Sequence, residues 1–188
     1  TFSYSPTLGT VLPVGTSTLS VIFTPADTVR YTSVSTSVTL AVSSATPVIS
    51  WTVPAAISYG TTLSATQLNA TASVPGTFAY TPSLGALLTA GSHLLLVEFT
   101  PADTVTFLPA SATITLTVNP ATPSLAWAAP ADLTYGTPLS STQLAATASI
   151  PGTFAYTPAA GAILAAGSQT LTAVFSPTDS VNYTSASI

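Results

Sequence analysis

The stretch Gly76-Thr77-Phe78-Ala79-Tyr80-Thr81-Pro82 occurs twice in the chain, the second time without a single change as residues 152–158. A related stretch, Thr1-Phe2-Ser3-Tyr4-Ser5-Pro6, opens the sequence at the same spacing of 76 residues. Self-similarity at a fixed period indicates one structural unit that has been copied in tandem. The sequence therefore predicts a repeat architecture of about two and a half copies in 188 residues.

Other motifs keep this spacing and define the expected boundaries. The turn Phe23-Thr24-Pro25-Ala26-Asp27 recurs unchanged at 99–103, and Trp51 recurs as Trp127. We therefore expect three domains: residues 1–44 as the C-terminal part of a repeat, 45–120 as a complete repeat, and 121–188 as a repeat that lacks its last strand.

Two segments carry the clearest strand pattern. Leu95, Val97 and Phe99 form one apolar face of the first, and threonines alternate with aliphatic residues along 113–118 in the second. Period-2 alternation indicates half-buried antiparallel strands, and no segment has a helical apolar stripe. Short strands separated by Pro, Gly and Asp turns predict an all-β fold of tandem Ig-like antiparallel β-sandwiches.

Composition excludes several classes of function. Charged residues make up 3% of the chain, there is no lysine, and Arg30 is the only strong base. Nothing can neutralise phosphates, so nucleic-acid binding is excluded. No apolar run approaches the roughly 18 residues of a membrane span, so no membrane insertion is expected. The absence of cysteine excludes disulfides and thiolate chemistry.

Several motifs together resemble the bacterial Ig-like repeats of the MBG type. They are Tyr59-Gly60 followed by Leu63-Ser64-Ala65-Thr66-Gln67-Leu68, the Pro-Gly-Thr-Phe-x-Tyr-Thr-Pro box, an Ala-Gly-Ser strand and the Phe-Thr-Pro-x-Asp turn. The resemblance covers the whole chain. Such repeats occur in very large secreted or surface-attached bacterial proteins, including adhesin-like ones. The resemblance implies an extracellular location, a structural or adhesive role, and no catalytic or cofactor-binding residues.

The recurring aspartates Asp27, Asp103 and Asp179 are weak candidates for a calcium site. Calcium takes six to eight oxygens, usually from several carboxylates, and each repeat offers one carboxylate here, with Asp132 as the only addition. An Asx-turn, in which the carboxylate accepts main-chain hydrogen bonds, fits these positions better. We expect no metal and no cofactor.

No catalytic constellation can be assembled from five acidic residues and the single histidine, His93, so we do not expect an enzyme. Trp51 and Trp127 could stack on a sugar ring, but their surroundings favour a place in the core. Asn69-Ala70-Thr71 and Asn182-Tyr183-Thr184 match the N-glycosylation pattern, and the dense threonines could carry O-linked sugar, so glycans are possible.

The ends of the sequence cut through the repeat, and no initiator methionine is present. Two expectations follow. The chain is a window on a longer repetitive protein, or a neighbouring chain completes the cut repeats by strand addition. In the second case Ser35–Val42 of one copy would occupy the slot beside 168–176 of another, giving head-to-tail filaments.

The sequence therefore predicts an extracellular structural array, secreted or at the cell surface, that forms a stalk, fibre or filament segment. Its partners would be other copies of the same protein or neighbouring repeats. The alternative is an adhesin module that binds glycans or a cell surface.

Overall fold

The computed structural model describes all residues from Thr1 to Ile188, which form fourteen β-strands and no helix. The expectation of an all-β chain is therefore confirmed. No part of the structure is an apolar helix of the length that crosses a membrane.

The strands are short at the edges of the sheets and long in their middle. In chain order they are β1 Phe2–Ser5, β2 Gly15–Phe23, β3 Val34–Val42, β4 Ile49–Ser50, β5 Ile57–Ser58, β6 Thr71–Ala72, β7 Gly76–Thr81, β8 Gly91–Pro101, β9 Ala110–Asn119, β10 Leu125–Ala126, β11 Thr147–Ala148, β12 Gly152–Thr157, β13 Thr172–Pro177 and β14 Ala186–Ser187. Their hydrogen bonds form three larger sheets, with the orders β1-β2-β3, β5-β9-β8-β7 and β12-β13-β14, and two small ones, β4-β6 and β10-β11.

Two units divide the chain. The first comprises Thr1–Thr52, Asn69–Thr81 and Leu96–Thr113, and the second comprises Val53–Leu68, Pro82–Leu95 and Ile114–Ile188. The long strands β8 and β9 contribute residues to both.

In the first unit, β1, β2 and β3 form an antiparallel sheet with one apolar face. Residues that lie opposite each other in such a sheet share a face, and the register places Phe2 opposite Phe23 and Leu19 opposite Val38. The other face carries mainly serine and threonine. Phe2 is 64% exposed and Val38 is 63% exposed, so the apolar face of this sheet is open to solvent.

The predicted alternation along β8 and β9 is confirmed by burial. Leu95, Val97 and Phe99 are at most 1% exposed, and Leu116 and Val118 are at most 2% exposed. Side chains alternate between the two faces of a strand, so the threonines between Ile114 and Val118 face outward. The buried core of the molecule is built on these apolar faces.

The expectation of purely antiparallel sheets is wrong at β5. This strand pairs in parallel with the end of β9, Ile57 lying opposite Val118. Parallel neighbours need a long connection, and residues 59–109 supply it. The Tyr59 N–H extends the pairing with a hydrogen bond to the Asn119 carbonyl at 2.8 Å.

Candidate functional site

An open groove of about 870 Å³ runs beside β13 in the second unit. Its apolar lining comes from Trp127, Leu139, Leu164 and Leu171, and Ile188 lies at one end. Because Leu139 is only 2% exposed while Leu171 is half-buried, the groove has a closed floor and an open side. Its shape suits an extended ligand.

The groove exists because the sheet edge beside it has no strand. On this edge β14 pairs only with Val174 and Phe175 of β13. The last main-chain pair is Ala173 with Ile188, whose N–H groups each donate to the other's carbonyl at 2.8 and 2.9 Å. Residues 168–171, which precede β13, lie outside every strand. Their backbone therefore forms the open side of the groove.

The strand β8 shows what covers such an edge elsewhere in the chain. It begins at Gly91, in a sequence context shared with Gly167, and it has β9 as its neighbour over a long stretch. Leu95 of β8 is fully buried, whereas Leu171 is half-buried. A neighbouring strand thus makes the difference between a closed core and an open groove.

The candidate metal residues Asp27, Asp103 and Asp179 cap turns. Asp103 Oδ1 accepts hydrogen bonds from the N–H groups of Val105 and Thr106, both at 3.0 Å. Asp27 Oδ1 accepts from Val29 and Arg30 at 3.1 Å, and Asp179 Oδ1 accepts from Asn182 at 3.1 Å. The predicted Asx-turns are confirmed.

These hydrogen bonds also stabilise the charged form of two of the carboxylates. The Thr106 side chain, and then its main-chain N–H, holds the pKa of Asp103 below its ordinary value. The Asn182 side chain, and then its N–H, lowers the pKa of Asp179 in the same way. The structure brings no three His, Cys, Asp or Glu side chains together. The aspartates thus serve their own loops.

The two tryptophans pack against tyrosines and are half-buried. The Trp51 ring meets Tyr80 edge-on at 5.5 Å, and the Trp127 ring meets Tyr156 edge-on at 5.4 Å. Trp127 Nε1 also donates to the Gln143 carbonyl at 2.9 Å. The core role expected from the sequence holds for these contacts, but the position of Trp127 in the groove was not foreseen.

The remaining single residues are used locally. His93 Nε2 lies 2.7 Å from the Thr89 carbonyl oxygen. The Arg30 side chain is 82% exposed, and its Nε lies 3.9 Å from Asp27 Oδ2. Neither residue adds a reactive group to the groove, which they do not line.

Asn182 is a buried polar residue whose role the sequence did not reveal. It is 9% exposed; its Oδ1 accepts from the Ala90 N–H at 2.8 Å, and its Nδ2 donates to Asp179 Oδ2 at 2.8 Å. Next to it, the Tyr183 ring meets Tyr59 edge-on at 5.4 Å. The amide nitrogen expected as a glycan acceptor is thus engaged inside the protein. The available signal was Thr106, which occupies the same place in the preceding Asp turn.

The site offers an apolar groove, an open backbone edge and one exposed aromatic rim residue, Tyr135, but no reactive pair of side chains. Its chemistry is that of binding an extended, uncharged molecule. Comparison of the chain with family models, with curated proteins and with solved structures gives no match.

Proposed function

We propose that this chain is a segment of an extracellular structural array, a stalk, fibre or filament, built from tandem Ig-like sandwiches of the MBG type. One observation carries the proposal. Three phenylalanine pairs at a spacing of 76 residues have the same cross-strand position. Their ring centroids lie 5.0 Å apart for Phe2–Phe23, 4.9 Å for Phe78–Phe99 and 5.0 Å for Phe154–Phe175.

Other contacts at the same spacing support the repeat. The Trp51–Tyr80 and Trp127–Tyr156 ring pairs share an interplanar angle of 65°. Gln67 Oε1 accepts from the N–H and hydroxyl of Ser64, and Gln143 Oε1 does the same with Ser140. Segments of similar sequence thus take the same local structure, which favours copies bounded at residues 44 and 120.

The use of the polar side chains supports a scaffold in preference to an enzyme. Tyr80 and Tyr156 hydroxyls accept from the N–H groups of Ala70 and Ala146 at 3.0 and 3.1 Å. The aspartates and glutamines cap turns in the same way. A scaffold needs its few polar groups for its own backbone, because buried N–H groups must be paired.

Tight joints support an array with limited bending. Ala45 exchanges hydrogen bonds of 2.9 Å with the Thr106 carbonyl and the Leu108 N–H. Ala121 does the same with the Asn182 carbonyl and the Thr184 N–H, also at 2.9 Å. Each joint residue is therefore bonded to a loop of the segment that follows it, and little flexible linker remains.

The second candidate function is an adhesin module that binds glycans or a cell surface. Tyr135 is 76% exposed at the rim of the groove that Trp127 lines. Aromatic faces in such positions can stack on sugars. A glycan array probed with the chain and with its Tyr135→Ser variant tests this: binding that the variant loses supports an adhesin.

The structural array is tested on intact cells of the source organism. Treatment of whole cells with an added protease should remove the protein while a cytosolic marker stays intact, and electron microscopy should place it in surface fibres. Protection of the chain in intact cells that lyse normally, or its recovery from the cytosol, would contradict the proposal.

A further inference from the structure

We propose that the groove beside β13 is an acceptor slot for an unpaired β-strand of another polypeptide. The strand would be uncharged, with aliphatic side chains at alternate positions. The inference rests on the proposed structural role for its purpose, which is to join arrays through a sheet edge. Its geometry rests on the groove alone.

The acceptor edge has a defined register. Ala173 and Ile188 exchange main-chain hydrogen bonds, so the residues that point along the same edge are the alternate ones before Ala173. These are Leu171 and Gln169, which line the groove. A strand laid antiparallel on this edge would place alternate side chains over Trp127 and Leu139.

The chain contains a strand of the required kind in the corresponding place. β9 is the neighbour of β8 in the sheet, and it buries Ile114, Leu116 and Val118 while its threonines face outward. Between β2 and β3 the register places Leu19 opposite Val38 and Ser17 opposite Leu40. By the same register, a β9-like strand would set its isoleucine opposite Leu171 and its leucine opposite Gln169.

The strand β3 of a second copy is a poor donor for this slot, which changes the expectation from the sequence. All nine residues of β3 pair with β2, so donation would first break that ladder. The outer edge of β3 is free because it ends the sheet. On an antiparallel edge of that kind, the hydrogen-bonding residues would be its serines and threonines, and their polar face would turn toward the groove. The donor is therefore a strand without a partner of its own.

Charge and composition support an uncharged donor. The groove lining contains one ionisable acid, Asp132, and no base. A buried unpaired charge is costly, so an acidic or basic strand would be rejected. Backbone hydrogen bonds would supply affinity, and the aliphatic side chains would supply the register, as in β-strand addition generally.

The test uses a blocked synthetic peptide with the sequence of Ala110–Asn119 and the full chain carrying Trp51→Phe, so that Trp127 is the only reporter. We expect saturable one-to-one binding with a blue shift of Trp127 emission. A peptide with aspartate in place of its leucine should bind roughly tenfold more weakly or worse, because the charge would enter the groove.

A matched pair of protein variants locates the site. Leu171→Asp should weaken peptide binding by roughly tenfold or more, whereas Thr170→Asp, its exposed neighbour, should leave binding unchanged. Hydrogen exchange of the wild-type chain provides a measurement that does not depend on the folding of either variant. The peptide should slow exchange of the Gln169 and Leu171 amides.

Three outcomes would overturn the proposal: no saturable binding, equal loss of binding in both variants, or protection that falls on β3 instead of residues 168–171. An oligosaccharide that shifts Trp127 emission where the peptide does not would assign the groove to carbohydrate and also overturn it. None of these results would affect the cell-surface test of the array, so the two proposals fail separately.

Discussion

The side-chain Oδ1 of Asn182 accepts a hydrogen bond of 2.8 Å from the main-chain N–H of Ala90. The same amide donates to Asp179 at 2.8 Å and is almost fully buried. One side chain thus joins the Gly91 turn at the start of β8 to the loop that precedes β14. Because the bond links distant parts of the sequence, its removal should be felt in stability.

Replacing Asn182 by alanine should lower the free energy of unfolding by about 1–3 kcal/mol, because the Ala90 N–H loses its partner in a part-buried place. Urea unfolding followed by tryptophan fluorescence measures the change. Asn182→Thr is the matched variant, since threonine already occupies this place at position 106 and hydrogen-bonds to Asp103.

The threonine variant should keep the bond to Asp179 and lose only the bond to Ala90. We expect its stability to fall between those of the alanine variant and the wild type. Equal stability of all three proteins would show that the Ala90–Asn182 bond contributes nothing.

Gly152 should not tolerate alanine. A Cβ atom at this position would meet the Phe175 ring and the Ser176 carbonyl oxygen, and one at Gly76 would meet the Phe99 ring and the Thr100 carbonyl. Forcing atoms into a packed core costs typically about 1–3 kcal/mol. Gly152→Ala should therefore lower the melting temperature measured by calorimetry, whereas Thr153→Ala in the same strand should have a small effect. A melting temperature unchanged by Gly152→Ala would refute this close approach.

Stability should depend on pH through Asp103 and Asp179. Their pKa values lie below the ordinary 3.8 in the folded chain. A depressed folded-state pKa adds stability that is present above the unfolded value and lost as pH falls through the folded value. The chain should thus be equally stable from pH 5 to 7, by about the same margin, and lose stability below about pH 4.

The double variant Asp103→Asn/Asp179→Asn should show a shallower loss of stability in acid, because asparagine accepts the same hydrogen bonds without titrating. Asp132→Asn is the control and should keep the wild-type slope. Chemical unfolding at several pH values between 2.5 and 7 makes the comparison. Identical slopes for the double variant and the wild type would contradict the assignment.

The Tyr156 hydroxyl should contribute to stability, whereas the Tyr135 hydroxyl should not. Tyr156 accepts from the N–H of Ala146, a buried residue, so Tyr156→Phe should cost about 1–3 kcal/mol by leaving that donor unpaired. Tyr135 is 76% exposed, and Tyr135→Phe should change stability little. Thermal unfolding measures both, and a neutral Tyr156→Phe would show that water replaces the hydroxyl.

The long strands were predictable from the sequence because their alternation is a direct consequence of strand geometry. Leu95, Val97 and Phe99 lie on the buried face of β8 as the pattern required. The Asx-turns were predictable as well, since an aspartate can accept hydrogen bonds from the N–H groups that follow it. In both cases the decisive contacts are local.

Features that depend on distant parts of the chain were not predictable. β5 has only two residues and pairs in parallel with β9, which is far along the chain. Trp127 has the sequence context of Trp51, yet it lines a groove because no long strand covers the edge before β13. The capping turn at Ser64 did leave a readable signal, Ser-x-x-Gln, in which the glutamine reaches back to the serine N–H.

The central claim is that segments of 76 residues fold as tandem sandwiches that form an extracellular array. Electron microscopy of the intact protein from its native source tests it most directly. We expect fibres or stalks with a regular axial repeat of roughly 25–40 Å, the length of one sandwich at about 3.3 Å per strand residue. Isolated compact particles without any axial periodicity would contradict the claim.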